Sequence, residues 1–189
     1  MKNLGVEGTV SGDRYIGGVA GQVSNGGIIS NCFSTVKVTG NGFIGSVVGD
    51  VTAGSSVSNC YTTGAVNGGS YGYGYGGIAG YVNSGSITYC AALNSSITRP
   101  EGDATNFGRI AGINVVSGTF SNNVAWQGMS GFAFGTGETD NIDGEDISIE
   151  DIKADGTLGG RFTTANGWTV ENGKLPGFGA AVELPEHLK

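Results

Sequence analysis

The sequence predicts an all-β chain folded as a parallel β-solenoid of three to four coils, closed by a C-terminal cap containing a short helix and a hairpin. Three observations predict it. One residue in five is glycine, 38 of 189, in no strict three-residue period, which excludes collagen. Val, Ile, Thr, Tyr and Phe dominate the remainder, a mix that favours short strands joined by many turns. A pair of sequence boxes also recurs along the first two-thirds of the chain, and self-similarity at such a period marks stacked repeats.

The first box is Gly17-Gly18-Val19-Ala20-Gly21-Gln22-Val23. It returns as Ile44-Gly45-Ser46-Val47-Val48-Gly49-Asp50-Val51, Gly76-Gly77-Ile78-Ala79-Gly80-Tyr81-Val82 and Phe107-Gly108-Arg109-Ile110-Ala111-Gly112-Ile113. The second is Ile29-Ser30-Asn31-Cys32, followed by Val57-Ser58-Asn59-Cys60, Ile87-Thr88-Tyr89-Cys90 and Phe120-Ser121-Asn122-Asn123. A third apolar position follows at Val38, Val66, Ile97 and Met129. Each copy thus offers three strand-like pieces. Alternation at Val19, Gly21 and Val23 marks one inward face. In the second box the apolar residue and the cysteine are three apart, so a straight strand cannot bury both. A bend is expected at Asn31 and Asn59, since asparagine tolerates the angles required. A unit this small must stack on its neighbours. The unequal repeat lengths place variable loops at 39–43, 67–75 and 98–106. A meander of antiparallel hairpins is the alternative. The return of like residues at like positions, three cysteines included, favours stacked coils.

Residues 127–189 lose the repeat and are expected to cap residues 1–126, because an open solenoid end exposes strand edges. Ser148 with Asp151 reads as a capping box, and Ile147 with Ile152 as its hydrophobic staple, for a helix running to about Ala154. Strands are expected near 161–164 and 168–175, with Asn172-Gly173 as a two-residue turn. Trp168, Phe162 and Phe178 would fill the core.

The formal charge of −7 lies almost wholly in this tail, since residues 1–137 carry five acids and five bases. Neither part is basic, so nucleic acid is not an expected partner. No apolar run approaches the roughly 18 residues of a membrane span. Met1-Lys2-Asn3-Leu4 enters glycine-rich sequence directly, so either the protein stays inside the cell or the chain is a fragment whose targeting segment was removed, and the repeat content favours the second.

The Gly-Gly-(Val/Ile)-Ala-Gly box, the Ser-Asn-Cys-(Phe/Tyr) box and the following Thr-Gly-x-Val resemble the GLUG repeat family over residues 5 to about 126. Gly167-Trp168-Thr169-Val170-Glu171-Asn172-Gly173-Lys174-Leu175-Pro176 resembles the segment that follows the last such repeat. The fourth copy departs from the pattern at Arg109 and Asn123. The resemblance implies a bacterial surface or secreted protein, adhesin-like, or an accessory part of an IgA-cleaving metallopeptidase. It supplies no ligand.

Candidate chemistry is sparse. Cys32, Cys60 and Cys90 lack the close pairing of zinc sites; neighbours one coil apart could just reach each other as a disulfide, leaving one thiol over, and a ladder of buried thiols is the favoured reading. The sole histidine, His187, stands three residues from the last position given, which makes a Ser–His–Asp arrangement improbable. Polysaccharide-cleaving solenoids need clustered carboxylates, and Glu7, Asp13, Asp50, Glu101 and Asp103 are few and scattered. No catalytic residues, cofactor or metal are therefore assigned. Thr139 through Glu150 approaches a calcium loop, with Asn141 and Asp143 at ligand positions, but Thr139 and Asp146 break the pattern. The Ser70-Tyr71-Gly72-Tyr73-Gly74-Tyr75-Gly76 stretch would present Tyr71, Tyr73 and Tyr75 on one side, as a surface for a host glycan or protein. The expected role is that of a monomeric, extracellular or cell-surface display module. The alternative is a carbohydrate- or protein-binding accessory domain of a larger secreted enzyme.

Overall fold

In the computed structural model, residues 1–69, 73–100, 106–116, 118–131 and 141–189 are described. They divide into two compact units, Met1–Asp146 and Ile147–Lys189.

The first unit is a β-solenoid in which every ladder between coils is parallel. Each copy builds more strands than the three pieces read from its sequence: four sheets, one of them bent. One sheet stacks Ala20–Val23, Val48–Thr52, Ala79–Asn83 and Ala111–Val116. Another stacks Thr9–Ser11, Lys37–Gly40, Val66–Gly68, Ser96–Thr98 and Ser130–Gly131. A third stacks Arg14–Gly17, Gly42–Gly45, Tyr75–Gly76 and Phe107–Gly108. The bent sheet carries Lys2–Val6 and Ile28–Ser34, then the broken pairs Ser56–Ser58 with Tyr61–Thr62 and Ser86–Thr88 with Ala91–Ala92.

The extra strand hides inside the first box. A Cβ on Gly45 would lie 2.6 Å from Ala79 Cα and would also strike the carbonyls of Ile78 and Val48. The chain therefore turns a corner there that only glycine fits, and Gly42–Gly45 separates from Val48–Thr52. The bend in the second box falls at the asparagines. Asn3, Asn31, Asn59, Tyr89 and Asn122 form one column, with φ of 58°, 50°, 49°, 54° and 54°. This left-handed step reverses the side-chain parity, so Ile29 and Cys32 both point inward and both are buried.

Register carries the repeat into the core. Ile29, Val57, Ile87 and Phe120 are successive partners, and so are Val10, Val38, Val66 and Ile97. Gly131, not Met129, stands next to Ile97. Cys32, Cys60 and Cys90 line up in one column as free, buried thiols. Each donates to the carbonyl two residues earlier, and burial pushes the Cys60 thiol's pKa up. The differences in repeat length fall at the expected corner: Gly40 and Gly42 end and begin strands almost directly, whereas Gly68 to Tyr75 and Thr98 to Phe107 are longer links.

The atypical fourth copy is the last full rung. Val19 and Ala20 donate to Val47 O, Val47 and Val48 to Ile78 O, and Ile78 and Ala79 to Ile110 O. Ile110 and Ala111 then donate to Ile142 O at 2.8 and 3.0 Å, so residues 141–146 act as a partial further coil. Asn123 stands in the cysteine column, where its side chain accepts from Cys90 N at 2.9 Å and donates to Ile87 O at 2.8 Å. It supplies side-chain hydrogen bonds where the regular rung ends.

The second unit contains the expected helix, Ile149–Ala154, N-capped by Ser148 Oγ, which accepts from Asp151 N at 3.1 Å. Ile147 and Ile152 are both buried. The strand expected near 161–164 is absent: the chain there enters a 3-10 turn, Thr164–Asn166, between left-handed glycines at 160 and 167. The Asn172-Gly173 turn forms, with Lys174 N donating to Glu171 O. The hairpin is reduced to one antiparallel bridge, Thr169 with Gly177, and a second bridge, Leu175 with Val182, closes the turn that follows. Trp168 packs edge-on to Phe162 at 5.0 Å and stacks on Phe178 at 4.3 Å.

Candidate functional site

Of the tyrosines singled out by the sequence, Tyr73 and Tyr75 do not share a face. Tyr71 lies outside the described residues. Tyr75 is fully buried in the solenoid core, between Ile44 and Phe107 in register, with its hydroxyl donating to Asn41 O at 2.7 Å. A Cβ on Gly68 would lie 2.5 Å from its ring, so that glycine makes room for it. Tyr73 is at the surface, half-buried. Arg14 lies over its ring at 4.5 Å and donates to its hydroxyl at 2.7 Å.

Tyr73 belongs to a strip of outward side chains two columns wide and three coils long. The first column begins with Tyr15 and Phe43, which are aligned because Ile16 pairs with Ile44. Both adopt left-handed backbone, at φ 54° and 52°, a conformation that costs a bulky residue roughly 1–2 kcal/mol. The step turns Arg14 and Tyr15 outward together, while Ile16 enters the core. Tyr15 stacks on Phe43 with centroids 5.2 Å apart, and Phe43 meets Tyr73 at 5.1 Å and the edge of Tyr81 at 4.9 Å. Tyr15 is 45% exposed.

The second column is Gln22, Asp50 and Tyr81, paired Cα to Cα on neighbouring strands, so their side chains leave the sheet on one face. The columns touch because Gly21, Gly49 and Gly80 precede these residues. A Cβ on Gly49 would run into the Tyr15 and Ile16 backbone, and one on Gly80 into Phe43 and Ile44.

Asp50 stands at the centre of the strip and is only 3% exposed. Gln22 Nε2 donates to its Oδ2 at 2.6 Å. Its Oδ1 is buried and has no hydrogen-bond partner among the described residues. Burial raises its pKa, and the Gln22 hydrogen bond opposes part of that rise. A raised carboxyl pKa means that the fold favours the protonated form. That contribution is complete below the unfolded-chain value and is lost as pH rises through the folded value. Asp50→Asn is therefore expected to be about 1 kcal/mol more stable than the parent at pH 7. The gap should close as pH falls through the carboxylate range. Thermal unfolding at pH 7 and pH 4 checks this, and a variant less stable at pH 7 would make Asp50 a structural residue.

The calcium-like segment is engaged with the chain itself. Asn141 Oδ1 accepts from Asp143 N at 2.7 Å and Gly144 N at 3.0 Å, and Asp143 Oδ1 accepts from Arg109 N at 3.1 Å. The Arg109 guanidinium donates to the carbonyls of Asp143 and Gly144 and pairs with Asp146 at 2.6 Å. Arg109, the departure in the fourth glycine box, thus fastens the partial coil. Thr139 and Asp140, like Glu101 and Asp103, lie outside the described residues. His187 sits in the 3-10 turn Glu186–Leu188 of the second unit. Among the described residues no group of three metal-ligating side chains gathers, and no helix is long and apolar enough to cross a membrane.

Sequence reasoning missed Tyr15, Gln22, Phe43, Asp50 and Tyr81. The signal was present in part: Gln22, Asp50 and Tyr81 each follow a matched glycine of the first box.

The geometry defines a repeat solenoid carrying an outward aromatic strip around a buried carboxylate. Residues 12–39, the first full repeat, match the family model described as the GLUG motif. Among solved structures the chain is similar to one described as "a putative immunoglobulin A1 protease from Bacteroides ovatus". The identity is 21%, the match covers 94% of this chain and 74% of that one, and the TM-score is 0.62. At that identity the likeness is one of fold. No curated protein matches the sequence.

Proposed function

We propose that this chain is a non-catalytic display and binding module of a larger bacterial surface or secreted protein, and that the Tyr15–Phe43–Tyr81 strip is its contact surface. The observation that carries the reading is the strip itself. Two aromatic residues are held in left-handed backbone, the Tyr15 ring 45% exposed, on coils whose in-register ladders fix their spacing. Such a surface presents large contact area at little entropic cost. Among the described coil carboxylates, Asp13 Oδ1 accepts from the Asn41 amide at 2.9 Å and Asp50 Oδ2 from Gln22, and the two are not paired with each other, which supports the non-catalytic part. The partner would be a host glycan or protein met outside the cell. A second reading, an accessory domain of a secreted peptidase, draws on the described identity of the similar structure and would use the same surface.

The test presents the purified chain to an array of mucosal glycans and extracellular proteins, immunoglobulin A1 included, beside the double variant Tyr15→Ser/Tyr81→Ser. Retention of a subset of ligands is expected, at least tenfold weakened in the variant while its circular dichroism is unchanged. Equal retention by both chains, or none by either, removes the strip from the function. Mass spectrometry of the retained ligands is expected to find them intact, and cleavage products would make the chain an enzyme.

A further inference from the structure

The centre of the strip is chemically specific in a way that its aromatic rim is not. Asp50 is a desolvated carboxylate with one oxygen unpartnered, and its other oxygen is held by the amide of an exposed glutamine. Burying an ionised carboxylate without a countercharge is costly, and no cation enters the balance of influences on Asp50, which are burial and Gln22. Around it stand Tyr81 in the next coil and the Phe43–Tyr15 stack in the adjoining column. Aromatic faces beside a carboxylate form an environment that attracts an organic cation more than a neutral group. One cation of this chain already takes such a place: the Arg14 guanidinium lies on Tyr73, at the end of the same strip.

We propose that Asp50, with Tyr15, Phe43 and Tyr81, is a subsite for an arginine side chain of a partner protein. This rests on the strip being the contact surface. A guanidinium has the donors to satisfy both carboxylate oxygens at once in the side-by-side geometry that arginine and carboxylate favour. Gln22 covers Asp50 with a single neutral donor in the free protein and is displaced when the fork arrives. The planar guanidinium then lies against the rings. A sugar hydroxyl would satisfy Oδ1 but leave the carboxylate's charge uncompensated, so the cation recovers more of the burial cost.

The experiment titrates the full isotope-labelled chain with a Gly-Arg-Gly peptide, its Gly-citrulline-Gly counterpart, and a panel of neutral oligosaccharides, following amide chemical shifts. Citrulline keeps the shape of arginine and removes its charge. The arginine peptide is expected to shift the amides of Tyr15, Gln22, Phe43, Asp50 and Tyr81, with affinity at least tenfold above the citrulline peptide. Asp50→Asn should abolish that difference, and Tyr89→Ala, an exposed tyrosine away from the strip, should preserve it. Tyr81→Leu supplies a second variant that keeps the carboxylate and weakens binding several-fold. Equal binding of the two peptides, shifts elsewhere, or an unaffected Asp50→Asn chain overturns the arginine assignment. If oligosaccharides shift the strip amides and the arginine peptide does not, the contact surface stands and the cationic subsite falls. If neither perturbs the strip, the arginine subsite is refuted, and the array decides the broader reading.

Discussion

Gly49→Ala is expected to destabilise the coils by about 4 kcal/mol or more, the largest effect of any single methyl group considered. The added Cβ would lie 2.5 Å from Ile16 N and 2.6 Å from Gly21 O, and closer still to the Tyr15 carbonyl carbon. All three are backbone atoms of strands laddered to the next coil, so no rotamer change can relieve the clash. Two sheets would have to move apart, carrying the Tyr15–Phe43 column away from the Gln22–Asp50 column. Gly26→Ala is the control. Gly26 has φ 73° and open space around the position of a Cβ, so its cost should be only the backbone strain, about 1 kcal/mol. Urea unfolding of both variants measures the contrast. A Gly49→Ala chain as stable as Gly26→Ala would mean that the two sheets do not touch backbone to backbone.

Asn94→Leu is expected to cost about 3 kcal/mol, because it breaks a polar network that the core fully encloses. Asn94, Thr62 and Ser46 are each wholly buried. The Asn94 amide donates to Ser46 Oγ at 2.9 Å and to Gly64 O at 2.6 Å, and its oxygen accepts from Thr62 Oγ1 at 2.9 Å. The network joins two successive coils. Leucine would leave Gly64 O and the two hydroxyls short of partners that water cannot replace. Thr62→Val added to Asn94→Leu removes one of the orphaned groups, so the double variant should be less damaged than the sum of the singles, by about 1 kcal/mol. Thermal unfolding of the four chains measures this coupling. Strict additivity would show that the side chains do not act as one network.

Both positions show how unevenly the sequence reports on the structure. Gly49 was legible as a recurring glycine, because its matches at Gly21, Gly80 and Gly112 keep one place in the repeat. Asn94 carries no such mark, since its neighbours in the network come from the preceding coil. The tyrosine stretch failed for a local reason. Alternating tyrosines imply one shared face only along a regular strand, and here the residue at 75 joins a core strand while that at 73 stays outside it. Asp50 was counted as one scattered acid because its burial comes from side chains roughly a repeat away on either side, which no linear window brings together.

What the sequence by itself determined is the stacking: parallel coils, their register, the thiol column, the left-handed bends at asparagine and the Ser148 helix cap. These follow from residue types recurring at fixed intervals, and a coil that cannot bury its own apolar face has to align like with like. What only the tertiary structure decided is the number of sheets, the inward turn of Tyr75 and the strip around Asp50. Those depend on where backbone meets backbone between sheets, and on left-handed steps at Tyr15 and Phe43 that reverse which side chains face out. A one-residue change of parity moves a side chain between core and solvent, and its position is set by contacts across the coil rather than along the chain.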